Sequence, residues 1–141
     1  MIRIVADTNV LVSACIGQGP ASKVIEACLI GRLMPMLSLA LYLEYEDVMN
    51  RAAPFQRARF DLHQRNDLLD AFFPRCTLVD IHYRWRPNLR DEGDNHLIEL
   101  AIAANARYLV TSNTRDFSGG DLRFDRVEVI EPARLFRELS L

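Results

Sequence analysis

The feature that most constrains this chain is the place where its first apolar run stops. Ile2 to Ala6 is apolar and β-branched except at Arg3, and it breaks off at Asp7-Thr8-Asn9. A run this short, ending on polar turn residues, reads as a buried strand followed by a loop, with Asp7 at the strand's carboxyl end. Similar short runs recur along the chain and alternate with segments of helical period. That alternation, without any repeat of fixed period, argues for an α/β sandwich with a mainly parallel sheet.

The remaining elements follow from periodicity and punctuation. After Val10 to Ile16 comes the turn cluster Gly17-Gln18-Gly19-Pro20, then a predicted helix from Ala21 to Ile30 with Val24, Ile25, Cys28 and Leu29 on one face and Gly31 closing it. The glycines do not make a phosphate loop, because the Gly-Lys-Ser/Thr ending is missing and Pro20 lacks an N–H. Leu33 to Leu37 predicts a second strand, with Pro35 placing it at an edge or a bulge. Ser38 is a natural N-cap for a helix from Leu39, whose Leu41, Tyr45, Val48 and Met49 face the core, with Glu44 set among them. Ala53 to Phe73 reads as one long helix stopped by Pro74, and Thr77 to Ile81 as a short strand. Residues 87–96 form a polar loop leading into an apolar helix through Leu97, Ile98, Leu100, Ala101, Ile102 and Ala104, N-capped by Asp94. Arg107 to Thr111 is a strand, Ser112 to Gly120 a polar loop holding Asp116, Val127 to Ile130 a strand, and Pro132 opens a last helix to Leu139. In that helix Leu135, Phe136 and Leu139 serve either the core or a dimer contact.

At 141 residues, half of them hydrophobic, the chain suits one domain over 1–141 with its own core. No apolar run reaches membrane-spanning length, and Asp7 interrupts the first segment before a secretory leader could form, so a soluble cytoplasmic protein is expected. The net charge of −2 excludes a strongly basic polyanion binder. It conceals an asymmetry, since eight arginines stand against four aspartates between Arg51 and Arg90. Lys23 is the only lysine, and arginine's planar fork suits phosphate oxygens, so this segment is either a nucleic-acid surface or a solvated helical face. Cys15, Cys28 and Cys76 are odd in number and widely spaced, and read as reduced, buried thiols rather than a disulfide framework, a zinc ligand set or a nucleophile.

In an open parallel sheet, ligands gather beyond the carboxyl ends of the strands. Asp7, Glu44, Asp94 and Asp116 all map to that end, from four separated segments. Each taken singly is an ordinary cap, turn or surface acid. Brought together they repel unless a cation compensates them, and an all-oxygen set suits Mg²⁺ or Mn²⁺ rather than zinc. Such an ion supports phosphodiester hydrolysis by polarising a phosphoryl oxygen and neutralising the leaving oxygen.

The segments Ile4-Val5-Ala6-Asp7-Thr8-Asn9-Val10-Leu11, Leu43-Glu44-Tyr45-Glu46-Asp47-Val48, Arg90-Asp91-Glu92-Gly93-Asp94-Asn95-His96 with Leu100-Ala101, and Tyr108-Leu109-Val110-Thr111-Ser112-Asn113 with Asp116-Phe117 resemble, in this order, the PIN-domain nucleases. Within them the chain is similar to the VapC-like toxin components of type II toxin–antitoxin systems. The resemblance covers nearly the whole chain. It implies a three-layer α/β/α sandwich, Mg²⁺- or Mn²⁺-dependent RNA cleavage, inhibition by a cognate antitoxin, and a homodimer. By the same carry-over Asp7, Asp94 and Asp116 hold the metal, while Glu44 positions the metal or the attacking water. Asn9, Thr111 and Asn113 supply hydrogen bonds behind them; Asp91 is close enough in sequence to join the site, or is a loop acid held in solvent. The family's fourth acid often stands where this chain has Asn113, so Asp116 takes that role here.

Arg51, Arg57, Arg59 and Arg65 are the residues expected to guide an RNA backbone past the acids, or else to meet an acidic antitoxin. Tyr42, Tyr45, Phe55 and Phe60 lie at helical spacing and read as core rather than base-stacking platforms. A haloacid-dehalogenase phosphatase would need an acid where Asn9 stands, and a response-regulator receiver would need a lysine that only Lys23 could supply. The alternative of a different class is a non-catalytic PIN-like module that binds RNA or protein through a degraded metal site.

Overall fold

The computed structural model describes residues 1–81, 95–117 and 126–141. Among these the order is β1 (Arg3–Ala6), α1 (Thr8–Ile16), α2 (Pro20–Leu29), β2 (Met34–Leu37), α3 (Leu39–Met49), α4 (Leu62–Phe72), β3 (Thr77–Leu78), α5 (Asn95–Ala103), β4 (Tyr108–Val110), β5 (Glu128–Ile130) and α6 (Pro132–Leu139). The described strands form one sheet in the order β3-β2-β1-β4-β5, every neighbouring pair parallel. The steps from β1 to β2 to β3 run one way along the sheet, and the step from β3 back to β4 reverses. Right-handed crossovers then place α5 on the face opposite the earlier helices. In the packing α5 lies on β1, β2 and β4 and also meets α3, while α2 packs on α1, α4 and α6. The result is the expected α/β/α sandwich, and the sheet is wholly parallel.

Central β1 shows why the apolar runs are near-continuous: Ile4, Val5 and Ala6 are fully buried, as are Leu109 and Val110 of β4. Leu135 is fully buried as well, so α6 completes the core on that side. Ser38 caps α3 as expected, its hydroxyl accepting the Leu41 N–H at 3.1 Å. Gly31, at the end of α2, has φ +84°, a conformation that disfavours any residue with a Cβ. Cys15 and Cys28 are buried and Cys76 partly so; burial pushes the Cys15 thiol up to about 11 and the other two up to about 12, which leaves none of them as an activated nucleophile.

Five expectations are corrected. The segment after Asp7 is not a loop: α1 begins at once at Thr8, with Val10, Leu11, Ala14 and Cys15 forming its buried stripe. The helix expected over Ala53 to Phe73 starts only at Leu62, where Asp61 and Gln64 make a reciprocal capping box; before it, Pro54 interrupts the helical backbone and Phe55 is buried in an irregular segment. Strand β2 is not at an edge, although β3 is so short that it pairs only with Met36 and Leu37. The Met34 N–H points to the carbonyl of Ile2, just before β1, so the missing N–H of Pro35 faces the side where β3 has not yet begun. Finally, β3 ends at Leu78 rather than Ile81, and Thr114–Phe117, inside the expected loop, forms a 3₁₀ turn anchored by buried Phe117. Asp91 and Asp94, with the expected cap of α5, lie outside the described residues.

Candidate active site

Asp7 ends β1 at the centre of the sheet. Its backbone N–H continues the ladder to Val110 at 2.8 Å, and its residue is 8% exposed. Although it occupies the N-cap position of α1, its side chain makes no cap hydrogen bond. A cap forgone costs about 1 kcal/mol, and the carboxylate is turned instead to the end of β4. There Thr111 Oγ1 donates to Asp7 Oδ2 at 2.8 Å, and Asn9 Nδ2 reaches the same oxygen at 3.3 Å and Thr111 Oγ1 at 3.2 Å. The Asn113 N–H donates to Thr111 Oγ1 at 3.1 Å, and the Ser112 N–H to Asn9 Oδ1 at 3.2 Å. Asn9 and Thr111 thus bond the Asp7 carboxylate through their side chains, whereas Asn113 joins this network through its backbone N–H.

Glu44 lies in the second turn of α3, half-buried. Its Oε1 accepts the Thr8 hydroxyl, and its Oε2 is 2.8 Å from His96 Nε2. Just after it, the buried Tyr45 hydroxyl donates to the Ala6 carbonyl, tying α3 to the end of β1. The two acids feel each other. Burial, and then the Glu44 charge, raise the Asp7 carboxyl above its ordinary 3.8, against the opposing Thr111 hydrogen bond. Glu44 shifts the other way: the His96 hydrogen bond first, then that of Thr8, hold it below its ordinary 4.5 despite burial.

Asp116 sits partly buried in the 3₁₀ turn, its N–H bonded to Asn113 O at 3.1 Å. Among the described residues no three His, Cys, Asp or Glu side chains gather as a metal group, and Asp91 and Asp94 lie outside those residues. The buried Asp7 carboxylate, its charge opposed by Glu44 and its contacts all oxygen or amide, has the chemistry of one half of a hard-cation site.

The arginines separate into kinds. Arg65 is 5% exposed: its Nε donates to Met49 O at 2.9 Å, its other nitrogens to Phe60 O and Arg51 O at 3.3 Å, and its guanidinium lies 4.1 Å over the Phe55 ring. It holds an irregular segment together and presents no donor to a phosphate. Arg59 is exposed but commits one nitrogen to Ala14 O at 2.7 Å, and Arg51 pairs with Asp47. Arg57 is exposed without a partner among the described residues. Tyr45 and Phe55 are buried, as their spacing implies.

Sequence reasoning passed over Thr8 and His96. The one signal available was adjacency, since Thr8 follows Asp7 directly and His96 stands two residues after Asp94.

A parallel sheet in this order, with an acid at the end of its central strand and a second on the helix after β2, defines an α/β protein whose candidate site lies at the strands' carboxyl ends. The PIN domain family model matches residues 3–115, and the chain belongs to that family. Among solved structures it is similar to the crystal structure of VapBC2 from Rickettsia felis bound to a DNA fragment from their promoter, with a TM-score of 0.61 and 16% sequence identity, covering 92% of this chain and 98% of that one. No curated protein matches it.

Proposed function

We propose that the chain is a Mg²⁺- or Mn²⁺-dependent endoribonuclease that hydrolyses RNA phosphodiester bonds, and the toxin of a type II toxin–antitoxin pair. The observation that carries this reading is the buried Asp7 carboxylate at the end of β1, charged against Glu44 and fixed by Thr111 and Asn9. Such an arrangement costs the protein stability and is retained where a cation or a reaction requires it. Asp7, Asp94 and Asp116 are the proposed metal-holding residues, with Asp91 a further acid on the same approach. When bound, the divalent ion supplies Lewis acidity toward the phosphoryl oxygens and charge for the leaving oxygen. Glu44 positions the metal or the attacking water. Thr111, Asn9 and Asn113 keep Asp7 in one rotamer. The exposed Arg57, with Arg51 and Arg59, draws the RNA backbone toward an acidic cleft that would otherwise repel it.

The sequence resemblance to VapC-like toxins, together with the likeness in fold to the VapBC2 structure, supports a cognate antitoxin as partner, while the homodimer rests on the sequence resemblance alone. No helix among the described residues is long and apolar enough to cross a membrane, and the proposed site of action is the cytoplasm.

The test is cleavage of a mixed RNA pool by the wild type and by Asp7→Asn, with Mg²⁺, with Mn²⁺ and with chelator. Metal-dependent cutting that disappears in the variant supports the nuclease. Equal cutting by both removes Asp7 from the site, and RNA binding without cutting under any metal favours the non-catalytic module.

A further inference from the structure

Both oxygens of Glu44 are engaged by protein donors. Oε1 accepts the Thr8 hydroxyl and Oε2 lies 2.8 Å from His96 Nε2. An ionised carboxylate has no hydrogen to give, so Nε2 is the donor. The other ring nitrogen, Nδ1, is buried and has no hydrogen-bond partner among the described residues. An N–H there would lose its hydration with nothing to accept it, whereas a bare lone pair costs less. The ring is therefore held as the Nε2–H tautomer. With Nε2–H spent on Glu44 and the Nδ1 lone pair buried, His96 presents no accessible lone pair to a metal.

The three side chains come from three helices. Thr8 opens α1, Glu44 belongs to α3, and His96 stands in the first turn of α5, on the opposite face of the sheet. A glutamate otherwise samples several rotamers, and a reacting carboxylate displaced by an ångström loses most of its effect.

We propose that His96 is a positioning residue for hydrolysis, holding the Glu44 carboxylate, together with Thr8, in the one orientation the site uses. The assignment rests on the nuclease reading above. His96 touches neither substrate nor metal and acts only through Glu44.

The test compares wild type, His96→Leu, His96→Gln, Glu44→Gln and the double variant His96→Leu/Glu44→Gln in RNA cleavage with Mn²⁺, with thermal melting to confirm folding. Leucine removes the donor at similar volume, whereas glutamine offers an N–H₂ at nearly the same reach. His96→Leu is expected to lower kcat about 10- to 100-fold with KM unchanged, and His96→Gln to recover most of the loss. In the Glu44→Gln background the leucine substitution is expected to cost nothing more. A second readout needs no metal: ¹⁵N NMR of the metal-free wild type should show a protonated Nε2 and a bare Nδ1 on His96, with the Nε2–H signal lost to solvent exchange in Glu44→Ala. This keeps the proposal testable if His96→Leu fails to fold. Full turnover by His96→Leu while the wild type cuts, a loss that persists undiminished beside Glu44→Gln, or a protonated Nδ1 alone would each overturn it. A wild type that cuts no RNA under any metal overturns the nuclease reading, and the positioning role with it.

Discussion

The buried hydroxyl of Tyr45 donates to the carbonyl of Ala6, and each of these residues is the sequence neighbour of a site acid, Glu44 on one side and Asp7 on the other. One bond therefore sets the end of β1 against the second turn of α3. Tyr45→Phe keeps the ring and its edge-on contact with Phe72, 5.9 Å between centroids, but leaves a buried carbonyl without its donor. A loss of about 1–3 kcal/mol is expected in urea unfolding. Turnover should fall as well, because the two acids lose their common reference; a variant with wild-type stability and rate would remove this bond from the account.

Asp7 carries a stability cost with a definite pH dependence. Its folded carboxyl lies above the ordinary 3.8, raised by burial and then by Glu44, so the native state holds that proton more tightly than the unfolded chain. The cost is absent below the unfolded value, grows as pH rises through the window up to the folded value, and is complete at neutrality. Metal-free Asp7→Asn should therefore melt above the wild type at pH 7, and the difference should close below about pH 3.8. Mn²⁺ should raise the melting temperature of the wild type and leave the variant unmoved.

Glu44 predicts the opposite sign. The His96 and Thr8 hydrogen bonds hold its folded carboxyl below the ordinary 4.5, so its contribution is present above that value and is lost as pH falls through the folded one. Glu44→Gln should be less stable than the wild type at pH 7, by an amount that shrinks as acid is added below pH 4.5. Melting curves of the two proteins from pH 7 down to pH 3 decide it; a gap that widens in acid would contradict the direction.

These two acids were legible without a fold because Asp7 follows the first short apolar run and Glu44 lies early on the helix after the second, where a parallel sheet opens its crevice. Their helpers were not. A threonine and a histidine gain meaning only when α1, α3 and α5 converge, and nothing local to Thr8 or His96 announces that convergence. Helix α1 was missed for a related reason: Asp7-Thr8-Asn9 has the composition of a turn, and the capping residue of the helix has its side chain directed elsewhere. The long helix expected before Pro74 failed because Pro54 and the Asp61 box override an apolar and arginine content compatible with a helix. Composition likewise could not tell Arg65 from its neighbours, since only the tertiary path of residues 49–60 gives its guanidinium three carbonyls to bind.

That difference among the arginines separates folding from RNA binding. Arg65→Ala strips donors from three carbonyls and the cation from the Phe55 ring, and should cost at least about 3 kcal/mol in urea unfolding. Arg57 is exposed and uncommitted among the described residues, so Arg57→Ala should leave stability within about 0.5 kcal/mol. Binding of single-stranded RNA to the Asp7→Asn protein, followed by anisotropy over a salt series, should show the reverse ranking. Removing Arg57 is expected to weaken affinity for every sequence alike and to reduce the salt slope by about 0.7, the value for one phosphate contact on a single strand. An unchanged slope would place the RNA path away from this segment and leave its positive charge to a protein partner.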